Sequence, residues 1–252
     1  KPCFLFRIMV FEEVNFFVIL GTIIGAYVYY LGTKKAKINS KINSEDLFFL
    51  IIGAFLGGIL GAKIPIWILN WNTILLASGT DKLLLIIGGR TIVGAIIGGF
   101  LGVEITKRCL GIKISTGNVF APALAIGVAI GRIGCYVLGC CYGKITDVPW
   151  AIYSFGALRH PTQIYEIIFH SIAFIIMWKK LSKEGDKMKP YTLFPAYILA
   201  YAVFRFFMEF IRGDTVPGIL WLTFFQIICL AVILVISGWY IVRYLKNKRV
   251  WR

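Results

Sequence analysis

Seven apolar stretches, each close to the length that crosses a bilayer, govern what this chain can fold into. They run over 14–31, 47–69, 83–106, 117–138, 162–178, 191–211 and 219–242, and about 20 residues of helix span roughly 30 Å of hydrocarbon. The fifth is short and the third is rich in glycine. With 59% hydrophobic residues, 15% charged residues and a mean hydropathy of +0.81, the chain holds more apolar surface than a soluble core of this size could hide. Lipid offers the backbone no hydrogen bonds, so spanning segments must satisfy their own, and runs of this length do so as helices. The expected fold is therefore all-α: a polytopic membrane helix bundle of about seven transmembrane helices, forming a single integral membrane domain over 1–252. The longest polar stretches, 32–46 and 179–190, are short charged loops. No small-residue cleavage site follows the first apolar run, which is expected to stay as a spanning helix.

A formal net charge of +15 could suggest nucleic acid, but the basic residues alternate with the apolar runs instead of sharing one face. Lys34, Lys35, Lys37 and Lys41 follow the first span; Lys107, Arg108 and Lys113 the third; Lys179, Lys180, Lys183, Lys187 and Lys189 the fifth; Arg243, Lys246, Lys248, Arg249 and Arg252 the seventh. The positive-inside rule makes that side cytoplasmic, with the N-terminus outside and the C-terminus in the cytoplasm. The partner implied is a membrane, and no nucleic acid is expected. Of the six cysteines (Cys3, Cys109, Cys135, Cys140, Cys141, Cys229) none forms a C-x-x-C pair, and His160 and His170 are the only histidines, so neither a metal nor another cofactor is expected. Cys135, Cys140 and Cys141 fall toward the outer face, where small packing residues or a disulfide are both open.

Gly53, Gly57, Gly58 and Gly61 repeat the spacing of Gly94, Gly98, Gly99 and Gly102, and Gly127, Gly131 and Gly134 give a shorter version. Small residues so spaced let helix backbones approach closely, which places the second, third and fourth spans at the tight centre of the bundle.

Ionisable groups inside apolar spans are costly and mark sites by default. Arg132 lies late in the fourth span; Arg205 and Glu209 lie at i, i+4 in the sixth, with Arg212 one turn on; Glu166 and Gln163 open the fifth. Alternating direction brings all of them, with His160, to the outer level of the membrane. Arg205, Glu209 and Arg212 share a helical face, setting two guanidiniums around one carboxylate. A structural ion-pair network would explain the pattern. An anionic lipid headgroup explains it better, because arginines outnumber nearby carboxylates and Arg holds phosphate bidentately. The segment Arg159-His160-Pro161-Thr162-Gln163-Ile164-Tyr165-Glu166 also reads as a helix start with its N-terminus open to an anion.

Gly131-Arg132-Ile133-Gly134, the 159–166 segment, and Phe204-Arg205 with Glu209 and Arg212 together resemble the prolipoprotein diacylglyceryl transferases of bacterial inner membranes. The likeness extends to Gly32-Thr-Lys-Lys-Ala36, Gly57-Gly58 and Gly88-Gly89. That resemblance implies transfer of the diacylglyceryl group of phosphatidylglycerol to the thiol of a lipobox cysteine in a prolipoprotein, for lipoprotein biosynthesis. It implies a multi-pass protein of the bacterial cytoplasmic (inner) membrane. Arg132 and Arg205 would hold the phosphate and stabilise the leaving charge, Glu209 and Arg212 would fix them, and Gln163, Tyr165, Glu166, Gly131 and Gly134 would line the substrate site.

The chain departs from the family pattern where chemistry is concerned. The family's His-Gly-Gly reads Val93-Gly94-Ala95, removing the proposed histidine base, and the helix-one tyrosine falls near Phe17. Gly-Arg-x-Gly-Asn-Phe-x-Asn-Gly-Glu reads Gly131-Arg132-Ile133-Gly134-Cys135-Tyr136-Val137-Leu138-Gly139-Cys140. Glu209, Glu166 and His160 remain as candidate bases, with His160 first because an imidazole ordinarily titrates near pH 6.5. Two other functions stay open: a transferase with another acceptor, and a non-catalytic phospholipid-binding or transport protein.

Overall fold

Apolar length and glycine content together set where helices run and where they stop. A computed structural model describes residues 2–38, 42–88, 92–112, 114–154, 156–213 and 222–249. Lys41, Lys113, Arg252 and Gly89, invoked above, lie outside these residues, as do the side chains of Cys3, Val93, Lys248 and Arg249. The helices are α1 (Pro2–Lys35), α2 (Ser44–Leu69), α3 (Trp71–Leu76), α4 (Gly79–Ile87), α5 (Ile92–Cys109), α6 (Gly117–Val137), α7 (Thr162–Glu184), α8 (Leu193–Ile211) and α9 (Phe224–Arg249). Among the described residues five segments are long and apolar enough to cross a membrane: Phe16–Lys35, Glu45–Ile68, Gly117–Val137, Leu193–Ile211 and Phe224–Lys246. The protein is an all-α membrane protein.

Residues Ile38–Ile114 form one compact unit. Within it α2 lies along α5 through the glycines read from the sequence. A β-carbon on Gly57 would collide with the Gly98 carbonyl, and one on Gly98 with the Gly57 carbonyl, so only glycine permits this approach. The expected continuous span over 83–106 is instead interrupted: α4 stops at Ile87, Gly88 is a bend, and α5 starts at Ile92. Glycine is the weakest helix former after proline, at about 1 kcal/mol below alanine. The carbonyls opened by the break find donors on α2. Trp67 Nε1 donates to Ile86 O at 3.1 Å, and Lys63 Nζ to Ile87 O and, at 3.1 Å, to Gly88 O.

Lys1–Lys37 with Ser115–Arg252 form the other unit. Here the glycines of α6 serve α1: a β-carbon on Gly21 would lie 2.7 Å from Gly127 O, and one on Gly134 2.7 Å from Phe17 Cβ. The face of α6 that packs inward is built from Val119, Ala121, Ala125 and Ala129, small enough for α7 and α8 to close on it. Asn118 fastens the start of α8, its Oδ1 accepting from Thr192 N and Leu193 N at 2.9 Å each while its Nδ2 donates to Lys189 O at 2.8 Å. Large apolar side chains such as Ile176, Phe207 and Leu234 face outward, as lipid-contacting residues do. At one end the 139–160 segment folds into a short antiparallel hairpin, β1 (Ile152–Ser154) with β2 (Ala157–Arg159), Ile152 opposite Arg159. Single bridges pair Gly143 with Arg212 and Ile145 with Arg159, so this cap is tied to the end of α8.

Candidate functional site

The C-terminal end of α6, the N-terminal end of α7 and the C-terminal end of α8 meet under the hairpin cap, and each contributes charge. Arg132 Nη2 lies 2.5 Å from Glu166 Oε2, and Glu166 Oε1 lies 3.3 Å from Arg205 Nη1. Arg205 Nη2 then reaches Glu209 Oε2 at 3.0 Å, and Arg212 Nε stands 4.0 Å from the same oxygen. Thr223, just ahead of α9, donates its hydroxyl to Glu209 Oε1 at 3.0 Å. The result is a ladder, Arg132–Glu166–Arg205–Glu209–Arg212, in which three guanidiniums meet two carboxylates. Arg132, Arg205, Glu166 and Glu209 are all at most 6% exposed. Those four balance two by two, and the third guanidinium, Arg212, is less deeply buried at the end of the ladder. Arg132 Nε and Gln163 Oε1 are buried without a hydrogen-bond partner among the described residues, and a β-carbon on Gly131 would meet nothing.

Thr162 and Gln163 do not cap their own helix. Thr162 Oγ1 donates to Cys141 O and Gln163 Nε2 to Cys140 O, both at 2.6 Å. These bonds hold the turn after α6, where Gly139 and Cys141 adopt positive φ of 66° and 60°. A non-glycine residue there is uncommon. Through that turn the sulfurs of Cys135, Cys140 and Cys141 come within 4.8 Å of one another, and Arg132 Nη1 lies 4.0 Å from Cys135 Sγ. The Cys141 thiol is held well below the ordinary thiol range, first by hydrogen bonds from the Cys135 and Cys140 thiols and then by the fields of Arg212 and Arg132. Cys140, whose thiol donates to Cys135 O at 3.6 Å, is pushed up by the neighbouring Cys135 and Cys141 thiols.

Three of the sequence-derived site residues, His160, Tyr165 and Gly134, stand apart from the ladder in their described contacts. His160 Nδ1 lies 3.3 Å from the Tyr165 hydroxyl, which also accepts from Trp150 Nε1 at 2.7 Å. Gly134 is occupied by the approach of Phe17. Sequence reasoning missed the His170–Tyr197 pair, Nδ1 to hydroxyl 2.9 Å, fully buried between α7 and α8; a histidine in the middle of an apolar helix was the available signal.

A model of the prolipoprotein diacylglyceryl transferase family matches residues 6–242. The chain belongs to that family. Among curated relatives, the phosphatidylglycerol–prolipoprotein diacylglyceryl transferase of Clostridium tetani is 33% identical over 205 residues, covering 77% of this chain and 79% of the relative. A protein of the same name from Methylococcus capsulatus is 34% identical over 203 residues, 75% and 74% of the two chains. The second such transferase of Clostridium perfringens is 30% identical over 222 residues, 78% and 84%. The match to the prolipoprotein diacylglyceryl transferase family takes in every rung of the ladder and all three clustered cysteines.

Proposed function

We propose that this protein transfers the diacylglyceryl group of phosphatidylglycerol to the thiol of a lipobox cysteine in a prolipoprotein, releasing glycerol phosphate. The buried ladder with its excess guanidinium carries this reading, because phosphatidylglycerol presents one phosphodiester at the level where a lipid headgroup meets protein. Arg132 and Arg205 hold the phosphate and stabilise the charge that grows on its bridging oxygen as the glycerol carbon is attacked. Glu166 and Glu209 keep the guanidiniums aimed, Arg212 completes the positive edge, and Gln163 with Gly131 shapes the pocket. Glu166 and Glu209 are committed to ion pairs, which leaves His160, beside Tyr165, as the candidate base. The names and coverage of the relatives point the same way. The deciding assay combines purified protein, phosphatidylglycerol and a lipobox peptide. The expected products are thioether-linked diacylglyceryl peptide and glycerol phosphate in equal amounts; absence of both, with lipid binding intact, would leave another acceptor or a binding protein.

The same reading makes 1–252 one membrane domain of the bacterial cytoplasmic membrane with about seven spans, N-terminus outside and C-terminus cytoplasmic. It rests on the basic clusters following alternate apolar segments. Single cysteines placed in the 179–190 loop should resist a membrane-impermeant thiol reagent in intact cells and react after permeabilisation. Labelling in intact cells would invert the topology.

A further inference from the structure

The three sulfurs beside Arg132 call for an explanation that packing does not supply. Cys141 is held at φ 60°, where a non-glycine residue is uncommon, by the hydrogen bonds that Thr162 and Gln163 send to the carbonyls of Cys141 and Cys140. Strain fixed in this way is found where backbone geometry serves a site. Its effect is to turn two consecutive cysteines and Cys135 toward one point, all three sulfurs lying within 4.8 Å of one another. A zinc ion binds thiolate sulfur at about 2.3 Å, so three sulfurs of a tetrahedral site stand about 3.8 Å apart, a closure of ~1 Å that side-chain rotation supplies. All three cysteines are half-buried, so the cluster is not sealed inside the protein. Three protein ligands with an open fourth position is the arrangement of catalytic zinc, as opposed to the closed four-ligand structural site.

We propose that Cys135, Cys140 and Cys141 bind a zinc ion whose fourth position takes the sulfur of the acceptor cysteine. This rests on the transferase reading above and puts the metal in place of the His160 base as the group that turns the acceptor thiol into a nucleophile, in a chain that has valine at position 93. A thiol that coordinates zinc loses its proton outright, here to solvent. The zinc-bound sulfur then forms a bond to the glycerol carbon that carries the phosphate, the carbon–oxygen bond breaks, and the electron pair leaves on the oxygen of glycerol phosphate. No oxidant or reductant is needed. A zinc with three thiolates carries net negative charge, and the Arg132 guanidinium, 4.0 Å from Cys135 Sγ, balances it. The same guanidinium is the first rung of the phosphate ladder through Glu166, so nucleophile and leaving group would meet on either side of one side chain. The carbonyl hydrogen bonds from α7 orient the ligand loop, as outer partners of metal ligands do.

The test reads metal before activity. Protein purified from zinc-supplemented cells should hold about one zinc per chain, and Cys141→Ser and Cys135→Ser should each lower this at least fivefold while still binding phosphatidylglycerol, which reports their folding. Cobalt substitution should give sulfur-to-cobalt charge-transfer bands that shift with a lipobox peptide and not with its Cys→Ser counterpart. Chelation should stop transfer and zinc restore it. Transfer that proceeds in zinc-free protein, or in Cys141→Ser, overturns the zinc proposal and leaves the transferase standing. Stoichiometric zinc with a peptide-dependent cobalt shift but no transfer upholds the thiol site and removes the transferase reading. Clustered thiols found joined as a disulfide, with no zinc, overturn the site itself.

Discussion

Arg132→Ala should lower diacylglyceryl transfer by about 10²–10³-fold or more, the loss that follows removal of one donor aimed at a developing oxyanion, while the protein still inserts and folds. The asymmetry comes from the ladder. Glu166 faces Arg132 at 2.5 Å and Arg205 at 3.3 Å, so deleting Arg132 leaves the carboxylate with a second partner, whereas the Nε that has no partner among the described residues is lost to the substrate. Arg132→Lys should recover little, because an ammonium keeps the charge but not the planar fork that grips a phosphate through two bonds. Initial rates with phosphatidylglycerol vesicles and a lipobox peptide, set beside thermal denaturation in detergent, check both halves. An Arg132→Ala protein that turns over within about threefold of the parent would remove the phosphate clamp from the mechanism.

Glu166→Ala should have the opposite profile, with folding hit first. It removes the one carboxylate between two guanidiniums, each less than 7% exposed, and breaking a buried pair from one side costs about 3–5 kcal/mol because the remaining charge is left uncompensated. Here Arg132 is left without its carboxylate, and Arg205 keeps only Glu209. Adding Arg132→Ala to Glu166→Ala should therefore restore part of the lost stability, a coupling that a double-mutant cycle measures directly. Equal losses in the single and double variants, or a Glu166→Ala protein as stable as its parent, would show that the carboxylate does not compensate the arginines.

What the sequence made legible was chemistry that lipid makes expensive. Arg132, Glu166, Arg205, Glu209 and Arg212 stood out because ionised groups in apolar spans need partners, and i, i+4 spacing already paired Arg205 with Glu209. That Glu166 would bridge Arg132 to Arg205 depended on which helices adjoin, and spacing within a helix carries no such information. The glycine pattern located the close helix contacts without naming the α1 partner of the α6 glycines, because a small residue shows that a backbone approaches without showing whose. The cysteines were hidden for a different reason: Cys135-x4-Cys140-Cys141 has no metal-binding spacing as a string, and becomes a cluster only through left-handed conformations at Gly139 and Cys141. The end of α4 was written in Gly88, but the apolar residues on both sides masked it.

The order of charges along the chain bears on how the protein enters the membrane during synthesis. An isolated ionised side chain adds up to about 2.5–3.5 kcal/mol to the insertion of a spanning helix, most at its centre. Arg132 on α6 emerges first, Glu166 on α7 next, and Arg205 and Glu209 come together on α8. Each newly made helix after α6 thus meets lipid with its counter-charge already waiting in the preceding helix or carried one turn away on itself. The rungs that would grip the lipid phosphate also give every helix made after α6 a partner for its charge as it leaves water.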